Sequence, residues 1–188
     1  EIVKLANEHK FKLLPLGSGS TLDSSKLVLD NMVILKSGRM NKINKVVPED
    51  LYVVLEPGFQ LRDLNRQLEP YHLFCPLADS KSSGTISGAV ASGLKGKSGD
   101  RNIQIKDYVL ALEVVDPQGQ ILNVGARTFK SVSGYDLPRL FIGSWGTLGF
   151  LTEISLRLIP ITQRKYFPNF IPDHFQRSRG EIRQGLES

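Results

Sequence analysis

The residues best suited to chemistry form a glycine- and hydroxyl-rich loop, Pro15-Leu-Gly-Ser-Gly-Ser-Thr-Leu22. Glycine has no Cβ to obstruct a ligand and tolerates positive φ angles, so consecutive N–H groups in such a loop can point toward one anion. Serine and threonine hydroxyls add further donors. The loop therefore predicts a phosphate or pyrophosphate site, with an ordinary glycine-rich turn between two strands as the alternative.

Two common nucleotide-binding motifs are excluded at this loop. A P-loop ends in Gly-Lys-Ser/Thr, and no lysine closes the present loop. A dinucleotide-binding fingerprint needs a third glycine that opens a helix. Leu22 follows instead, and residues 23–26, Asp-Ser-Ser-Lys, resemble a loop.

Two more segments have a similar composition. Residues 80–84 are rich in hydroxyls and precede the small-residue run 85–93, which predicts a helix packed closely on a ligand or on backbone. Residues 143–149 form a third loop of small and hydroxyl-bearing residues around Trp145. Three such loops, each expected beside a strand end, indicate one extended ligand with phosphates and hydrogen-bonding edges.

The elements that must position these loops follow from hydrophobic periodicity. A helix is predicted at 1–10; because it shows no N-cap, we expect further sequence upstream. A second helix is predicted to start at Pro57-Gly58 and end at Pro70, with Leu61, Leu64 and Leu68 on its apolar face. Strands are predicted at 11–14, 43–47, 51–55, 108–116, 121–124 and 151–158, and 27–29 with 32–35 are predicted as a strand pair or as one bent strand.

Local signals complete an α+β pattern. A short helix is predicted at 137–142, with Asp136 as its N-cap and Pro138 in its first turn. Residues 96–102 are predicted to be a polar loop, and the pattern fades after Ile159.

Composition limits the functional classes. The chain has 188 residues, which suits one sizeable domain. Its net charge of +5 comes without a basic stripe interleaved with aromatic residues, so nucleic-acid binding is not expected.

The single cysteine, Cys75, excludes an internal disulfide and fits a reducing compartment. The three histidines are widely spaced, so we expect no metal site. From the acidic first residue and the lack of a cleavage site in 1–6 we expect no signal peptide, and the given sequence has no apolar run long enough to cross a membrane.

Three stretches resemble one family, the flavoproteins of the vanillyl-alcohol oxidase / p-cresol methylhydroxylase (PCMH) type. Residues 15–22 resemble its Pro-x-Gly-Gly-Gly-Thr-Ser loop, and 79–96 resemble its second FAD stretch. Residues 130–153 resemble its Gly-Tyr-Asp-Leu … Gly-Ser-Glu-Gly-Thr-Leu-Gly signature, and 37–43 and 116–119 resemble two of its turns. The match is collinear over about residues 1–160 and is most similar to glycolate oxidase FAD-binding subunits and D-lactate dehydrogenases.

The resemblance implies a PCMH-type FAD-binding domain over 1–160, with two α+β subdomains and FAD between them. It implies that 161–188 are a tail or the start of a cap domain that would cover the flavin and bind substrate. We therefore expect this segment by itself to bind FAD without turning over substrate.

The implied activity is FAD-dependent oxidation of a 2-hydroxy acid such as glycolate or D-lactate. Electrons would pass to a separate acceptor, for example an iron–sulfur subunit. The alternative is a non-catalytic FAD-binding or electron-relay subunit of a larger complex. We expect a cytoplasmic protein, with any membrane contact made through a partner.

The resemblance also assigns the cofactor contacts, while no catalytic residue can be named. Amides of 16–21 would hold the pyrophosphate, 79–85 would run past the flavin, and 92–95 and 146–151 would reach the adenine and diphosphate end. The candidate cofactor-binding residues are Pro15, Leu16, Gly17, Ser18, Gly19, Ser20, Thr21, Leu22, Pro76, Asp79, Ser80, Ser82, Gly84, Thr85, Ser87, Gly88, Ser92, Leu94, Lys95, Gly146, Gly149, Phe150 and Leu151.

The sequence departs from the family pattern at a few positions. Ser18 and Ser87 stand where glycine is usual, and serine there would be strained if φ must be positive. Trp145 replaces the usual Glu and is able to pack on a neighbouring ring or on a partner. Asn102-Ile103 stands where many members carry Tyr-Gly. The first loop has no His or Cys, so we expect FAD to be bound non-covalently.

Overall fold

The computed structural model of the chain describes residues 1–20, 30–78, 82–98, 101–127 and 136–166. The helices there are α1 (Ile2–His9), α2 (Leu61–Leu68), α3 (Ile86–Ser92) and α4 (Pro138–Phe141). Short 3-10 helices lie at Glu69–Tyr71, Ile105–Asp107 and Ile161–Tyr166. The strands are β1 (Lys12–Leu16), β2 (Met32–Lys36), β3 (Ile43–Val47), β4 (Tyr52–Leu55), β5 (Leu73–Phe74), β6 (Lys95–Ser98), β7 (Arg101–Gln104), β8 (Val109–Val115), β9 (Ile121–Gly125), β10 (Phe150–Arg157) and β11 (Ile159–Pro160).

The main sheet has five antiparallel strands in the order β3-β4-β10-β8-β9. Its central strand, β10, pairs Ile154 with Leu55 on one side and with Leu112 on the other. All three side chains are buried, because the middle of the sheet is covered by other elements. The sheet therefore supplies the rigid floor of the domain.

Helices α2 and α3 cover this floor. The leucines Leu61, Leu64 and Leu68 of α2 are all buried, which confirms the apolar face predicted from their spacing. Ile86 and Val90 of α3 belong to the same core cluster. The core is therefore formed by one face of each helix and the facing side of the sheet.

A separate parallel pair, β1 and β2, follows α1. Leu16 and Lys36 are partners at the last position of the pair, and the Ser37 N–H donates to the Leu16 carbonyl at 3.0 Å. Because parallel strands end at the same edge, residues 17–20 emerge directly beside Ser37. This pair thus positions the first glycine loop.

Most predicted elements are confirmed, and the fold class is α+β as expected. The first helix, the β3–β4 and β8–β9 hairpins, the helix α3 and the long strand β10 lie where the sequence placed them. The strand predicted at 27–29 lies outside the described residues. Among the described helices, none combines the length and apolar character needed to cross a membrane.

Three local predictions are wrong. Residues 96–102 are not a polar loop, because β6 and β7 pair there as an antiparallel hairpin. Pro57-Gly58 does not open α2: the Gly58 N–H donates to Met40 O in a turn, and the helix starts after the extended Gln60. Asp136 does not cap α4, since its carboxylate pairs with the Arg139 guanidinium. Pro138 does lie in the first turn.

Candidate functional site

All three glycine- and hydroxyl-rich loops contribute residues to the wall of one cavity of about 330 Å³. Its walls come from the loop after β1, the segment before α3, α3 itself and the loop before β10. The candidate residues that line it are Pro15, Leu16, Gly17, Ser18, Gly19, Ser20, Ser82, Gly84, Ser87, Gly88, Ser92, Leu94, Gly146, Gly149, Phe150 and Leu151.

Three described candidates are not brought to the cavity. Thr85 is buried beneath the first loop, Lys95 is exposed on β6, and Pro76 lies half-buried in a turn. Thr21, Leu22, Asp79 and Ser80 lie outside the described residues.

The lining also contains residues that the site prediction did not include. They are Leu14, Ser37, Leu61, Ser83, Ala89, Ala91, Phe141, Ser144 and Trp145. Most of them lie in segments that the sequence had singled out: Ser83, Ala89, Ala91, Ser144 and Trp145 fall within 80–93 and 143–149, and Ser37 opens a turn that resembles one of the family. Leu14, Leu61 and Phe141 carried no such signal, because their place at the cavity depends on how the strands and helices pack.

The first loop leaves backbone donors available. Among the described residues, the N–H groups of Gly17, Ser18, Gly19 and Ser20 have no hydrogen-bond partner. Gly19 has a φ of +79°, whereas Ser18 does not have a positive φ. The glycine at the left-handed position is therefore retained, and serine at position 18 is not strained. Ser87 does not have a positive φ either.

The first loop sits directly on the N-terminal residue of α3. A Cβ on Gly17 would lie 2.1 Å from Thr85 Oγ1 and 3.5 Å from the Gly88 nitrogen. The 2.1 Å distance is far shorter than any non-bonded carbon–oxygen contact, so only glycine fits at position 17 in this arrangement. Thr85 is thus a supporting residue, since its hydroxyl lies under the loop rather than in the cavity.

Hydroxyl groups connect β2 to α3 beneath the cavity. Ser37 Oγ lies 3.5 Å from Ser87 Oγ, which lies 3.3 Å from Thr85 Oγ1. Thr85 Oγ1 in turn accepts from the Gly88 N–H at 3.3 Å. Ser37 and Thr85 are buried, at 2% and 1% exposure. Buried hydroxyls of this kind need partners, so the chain of contacts fixes the α3 start relative to the first loop.

The first turn of α3 has no spare amide. Ile86 N donates to Phe59 O at 2.9 Å and Ser87 N donates to Pro57 O at 3.0 Å, while Gly88 N binds Thr85. An anion in the cavity would therefore find its backbone donors on the first loop rather than on this helix.

The third loop is attached to the other end of α3. Gly143 N donates to Val90 O at 3.0 Å, and Trp145 N donates to Ala91 O at 2.9 Å. These bonds satisfy carbonyls that a helix end leaves free. On its other side the loop meets the first one, because a Cβ on Gly146 would lie 3.2 Å from Cβ of Pro15. The loop before β10 is thereby held between α3 and β1.

The part of the cavity lining that the structure describes is rich in hydroxyls. Among the described residues that line it there is no Asp, Glu, Lys, Arg or His. A bound pyrophosphate would therefore be stabilised by backbone N–H groups and serine hydroxyls. The same lining offers no general base, so no catalytic residue is identified there.

Hydrogen bonds from Asn65 of α2 hold the turn that contains Pro76. Asn65 Nδ2 donates to Cys75 O at 3.0 Å, and Cys75 N donates to Asn65 Oδ1 at 2.7 Å. The Cys75 side chain is fully buried, and this burial raises the pKa of its thiol from 9.0 to about 11. Cys75 is therefore an uncharged core residue at neutral pH, and it does not line the cavity.

Comparisons with known proteins agree with this geometry. A family model described as FAD binding domain matches residues 1–125. A mitochondrial D-lactate dehydrogenase [cytochrome] of Arabidopsis thaliana is 38% identical over 163 residues, which cover 87% of this chain and 29% of the relative. The glycolate oxidase subunit GlcD of Bacillus subtilis is 35% identical, with 87% of this chain and 35% of the relative covered.

The solved structures show the same fold. An alkyldihydroxyacetonephosphate synthase matches with a TM-score of 0.71 at 24% identity, covering 85% of this chain and 29% of that protein. The chain thus spans about a third of the length of the curated relatives it matches. Since the family model covers most of the chain and the fold agrees, the chain belongs to the FAD-binding domain family of PCMH-type flavoproteins.

Proposed function

We propose that this chain is the FAD-binding core of an oxidoreductase that oxidises a 2-hydroxy acid. The observation that carries the proposal is the cavity at which the glycine and hydroxyl loops meet, whose described lining has no charged side chain, in a chain of the FAD-binding family. Relatives named D-lactate dehydrogenase and D-2-hydroxyglutarate dehydrogenase support the substrate class, a D-2-hydroxy acid.

The first loop would hold the FAD pyrophosphate. Its available N–H groups, from Gly17 to Ser20, face no competing partner among the described residues. Several neutral donors at one point stabilise a phosphate group without a cation, as in other backbone anion nests. The small residues Gly88, Ala91 and Ser92 of α3 would let the cofactor lie close to the helix.

The attachment of FAD would be non-covalent. A covalent link to flavin needs a nucleophilic side chain such as His or Cys at the cavity. The described lining residues include neither type, and Cys75 is buried elsewhere with a raised pKa.

Bound FAD would supply the electron-accepting ring for removal of the hydrogen on the substrate α-carbon. This chain's residues would set the position of the cofactor. The groups that bind the substrate carboxylate and take its hydroxyl proton would lie outside the described lining, which has no ionisable side chain. We assign the cofactor-binding unit to 1–160 and assign 161–188 to a tail or to the start of the next region; Ile159 and, just past this boundary, Ile161 both pack on the core.

The test is an anaerobic titration of the FAD-loaded protein at its natural full length. D-lactate and glycolate are added while the flavin absorption band is recorded, and L-lactate serves as the stereochemical control. Bleaching by a D-2-hydroxy acid or by glycolate, with no bleaching by L-lactate, is expected. A protein that keeps FAD and is bleached by dithionite but by no hydroxy acid would contradict the proposed activity.

A second candidate is a FAD-binding or electron-relay subunit of a larger complex. One relative is named as a subunit, the GlcD subunit of glycolate oxidase, and the cavity lacks an acid–base group among its described residues. A relay subunit would be reduced by a reduced partner, such as an iron–sulfur protein, and not by a hydroxy acid. The same titration, repeated with such a donor, separates the two candidates.

A further inference from the structure

Trp145 presents a large uncovered ring at the edge of the cavity. Its side chain is 54% exposed although it lines the cavity. Tryptophan is highly buried on average in folded proteins, so the exposed indole offers apolar surface that a ligand in the cavity can cover. The other aromatic residues of the lining, Phe141 and Phe150, are more buried.

The backbone holds Trp145 in a conformation that the residue itself does not favour. Its φ is +55°, in the left-handed region that bulky residues rarely adopt. The hydrogen bond from Trp145 N to Ala91 O and the contact of Gly146 with Pro15 keep the loop in place. Strained positions that the surroundings enforce occur preferentially at ligand sites. The backbone of Trp145 is therefore held at the cavity edge.

The surroundings of the indole indicate what can cover it. No charged side chain occurs among the described lining residues, so no side chain there can form a cation–π contact with the ring. FAD carries two flat aromatic heterocycles, adenine and isoalloxazine, on either side of its pyrophosphate. Aromatic side chains stack favourably on such rings without needing specific hydrogen bonds.

We propose that Trp145 stacks on one of the two ring systems of FAD and thereby strengthens cofactor binding. The inference rests on the FAD-binding assignment and adds a contact in place of the Glu usual at this position. Trp145 acts here as a binding residue and has no part in the chemical step.

Three variants separate ring stacking from a structural effect. Trp145→Asn removes the ring but suits a left-handed φ, so the fold should be as stable as before or more stable. Trp145→Phe keeps an aromatic face. Leu148→Asn is the matched control, because Leu148 is an exposed apolar residue of the same loop that does not line the cavity. The thermal midpoint of each apo variant is measured alongside its affinities.

Calorimetric titration with FAD, ADP and FMN then shows which ring is involved. Trp145→Asn should weaken FAD binding by roughly tenfold, a typical loss for one base–aromatic stack. Trp145→Phe should retain most of the affinity, and Leu148→Asn all of it. If Trp145→Asn also weakens ADP binding, the indole stacks on the adenine ring. If it weakens FMN binding instead, the indole stacks on the isoalloxazine. Either result supports the proposal.

Fluorescence gives an independent readout, because Trp145 is the single tryptophan of the chain. ADP lacks the isoalloxazine ring and does not absorb tryptophan emission, so ADP protecting the indole from acrylamide quenching reports contact at the adenine end. Quenching of the Trp145 emission by FMN is not taken as evidence of contact, because energy transfer to the flavin quenches tryptophan at a distance. If Trp145→Asn binds FAD, ADP and FMN as tightly as the wild type does, the proposal is overturned while FAD binding itself stands. A wild-type protein that binds no FAD would overturn the proposed function first.

Discussion

Gly17 and Thr85 approach so closely that a Cβ on Gly17 would lie 2.1 Å from Thr85 Oγ1. Thr85 is the N-cap of α3, and its hydroxyl accepts from the Gly88 N–H. The first loop, whose amides have no partner among the described residues, is therefore seated on the N-cap of α3. This contact joins the parallel strand pair to the helix that covers the main sheet.

Gly17→Ala should disturb this junction and weaken FAD binding. The new methyl group forces either the loop or the Thr85 side chain to move, and overpacking of this kind costs about 1–3 kcal/mol. We expect a lower thermal midpoint and a loss of FAD affinity of at least about tenfold. The matched control is Gly38→Ala, because a Cβ on Gly38 would meet nothing within 4 Å. A Gly17→Ala variant that matches the Gly38→Ala variant in both measurements would contradict the contact.

Thr85→Ala tests whether the clash is with the hydroxyl oxygen. Alone it removes an N-cap and should cost about 1 kcal/mol of stability. Combined with Gly17→Ala it removes the obstructing oxygen, so the double variant should be destabilised by less than the sum of the single effects. Strict additivity in denaturant unfolding would show that the two residues do not interact.

FAD should leave the denatured protein completely. The described cavity lining has no His or Cys, and Cys75 is buried away from it. Acid precipitation of the yellow holoprotein should therefore transfer all of the flavin to the supernatant. Yellow colour that stays with the pellet after washing would require a covalent link and would contradict the prediction.

Stability should fall at alkaline pH through Cys75. The folded thiol has a pKa raised from 9.0 to about 11, because burial disfavours the thiolate. The folded state thus binds the proton more tightly than the unfolded state, and this contribution is complete below pH 9. It should be lost as pH rises from about 9 to about 11, by roughly 1.4 kcal/mol per pH unit.

The comparison with Cys75→Ala isolates this effect. Both proteins are unfolded in urea across the alkaline range, and the free energy of unfolding is plotted against pH. The free energy of unfolding of the wild type should fall relative to that of Cys75→Ala as pH rises, because the variant has no thiol to ionise. A constant difference up to pH 11 would mean that the thiol pKa is not raised in the folded protein.

The sequence predicted the elements whose signals are local. The Leu61, Leu64 and Leu68 spacing determines the buried face of α2, and the small-residue run with Gly93 after it determines α3. The sequence did not predict the β6–β7 hairpin, because Ile103 is the one buried apolar side chain of its strand residues. The pairing of the two strands rests on backbone hydrogen bonds, which leave no pattern in the side chains.

The glycine and hydroxyl loops were predictable from composition, whereas their mutual arrangement was not. Thr85 was expected to touch the cofactor, yet it supports Gly17 from below, because the close approach of two distant segments decides its place. Phe141 reaches the cavity only through the packing of α4. Such long-range contacts have no signature in the neighbouring residues.

Amide hydrogen exchange tests the central claim, that FAD binds at this cavity with its pyrophosphate on the first loop. In the apo protein the N–H groups of Gly17, Ser18, Gly19 and Ser20 have no partner among the described residues, so they should exchange rapidly. Saturation with FAD should slow their exchange by at least about tenfold, while the exposed turn at Gly38 stays fast. If these amides remain unprotected in the FAD-saturated protein, the cofactor pyrophosphate does not lie on this loop.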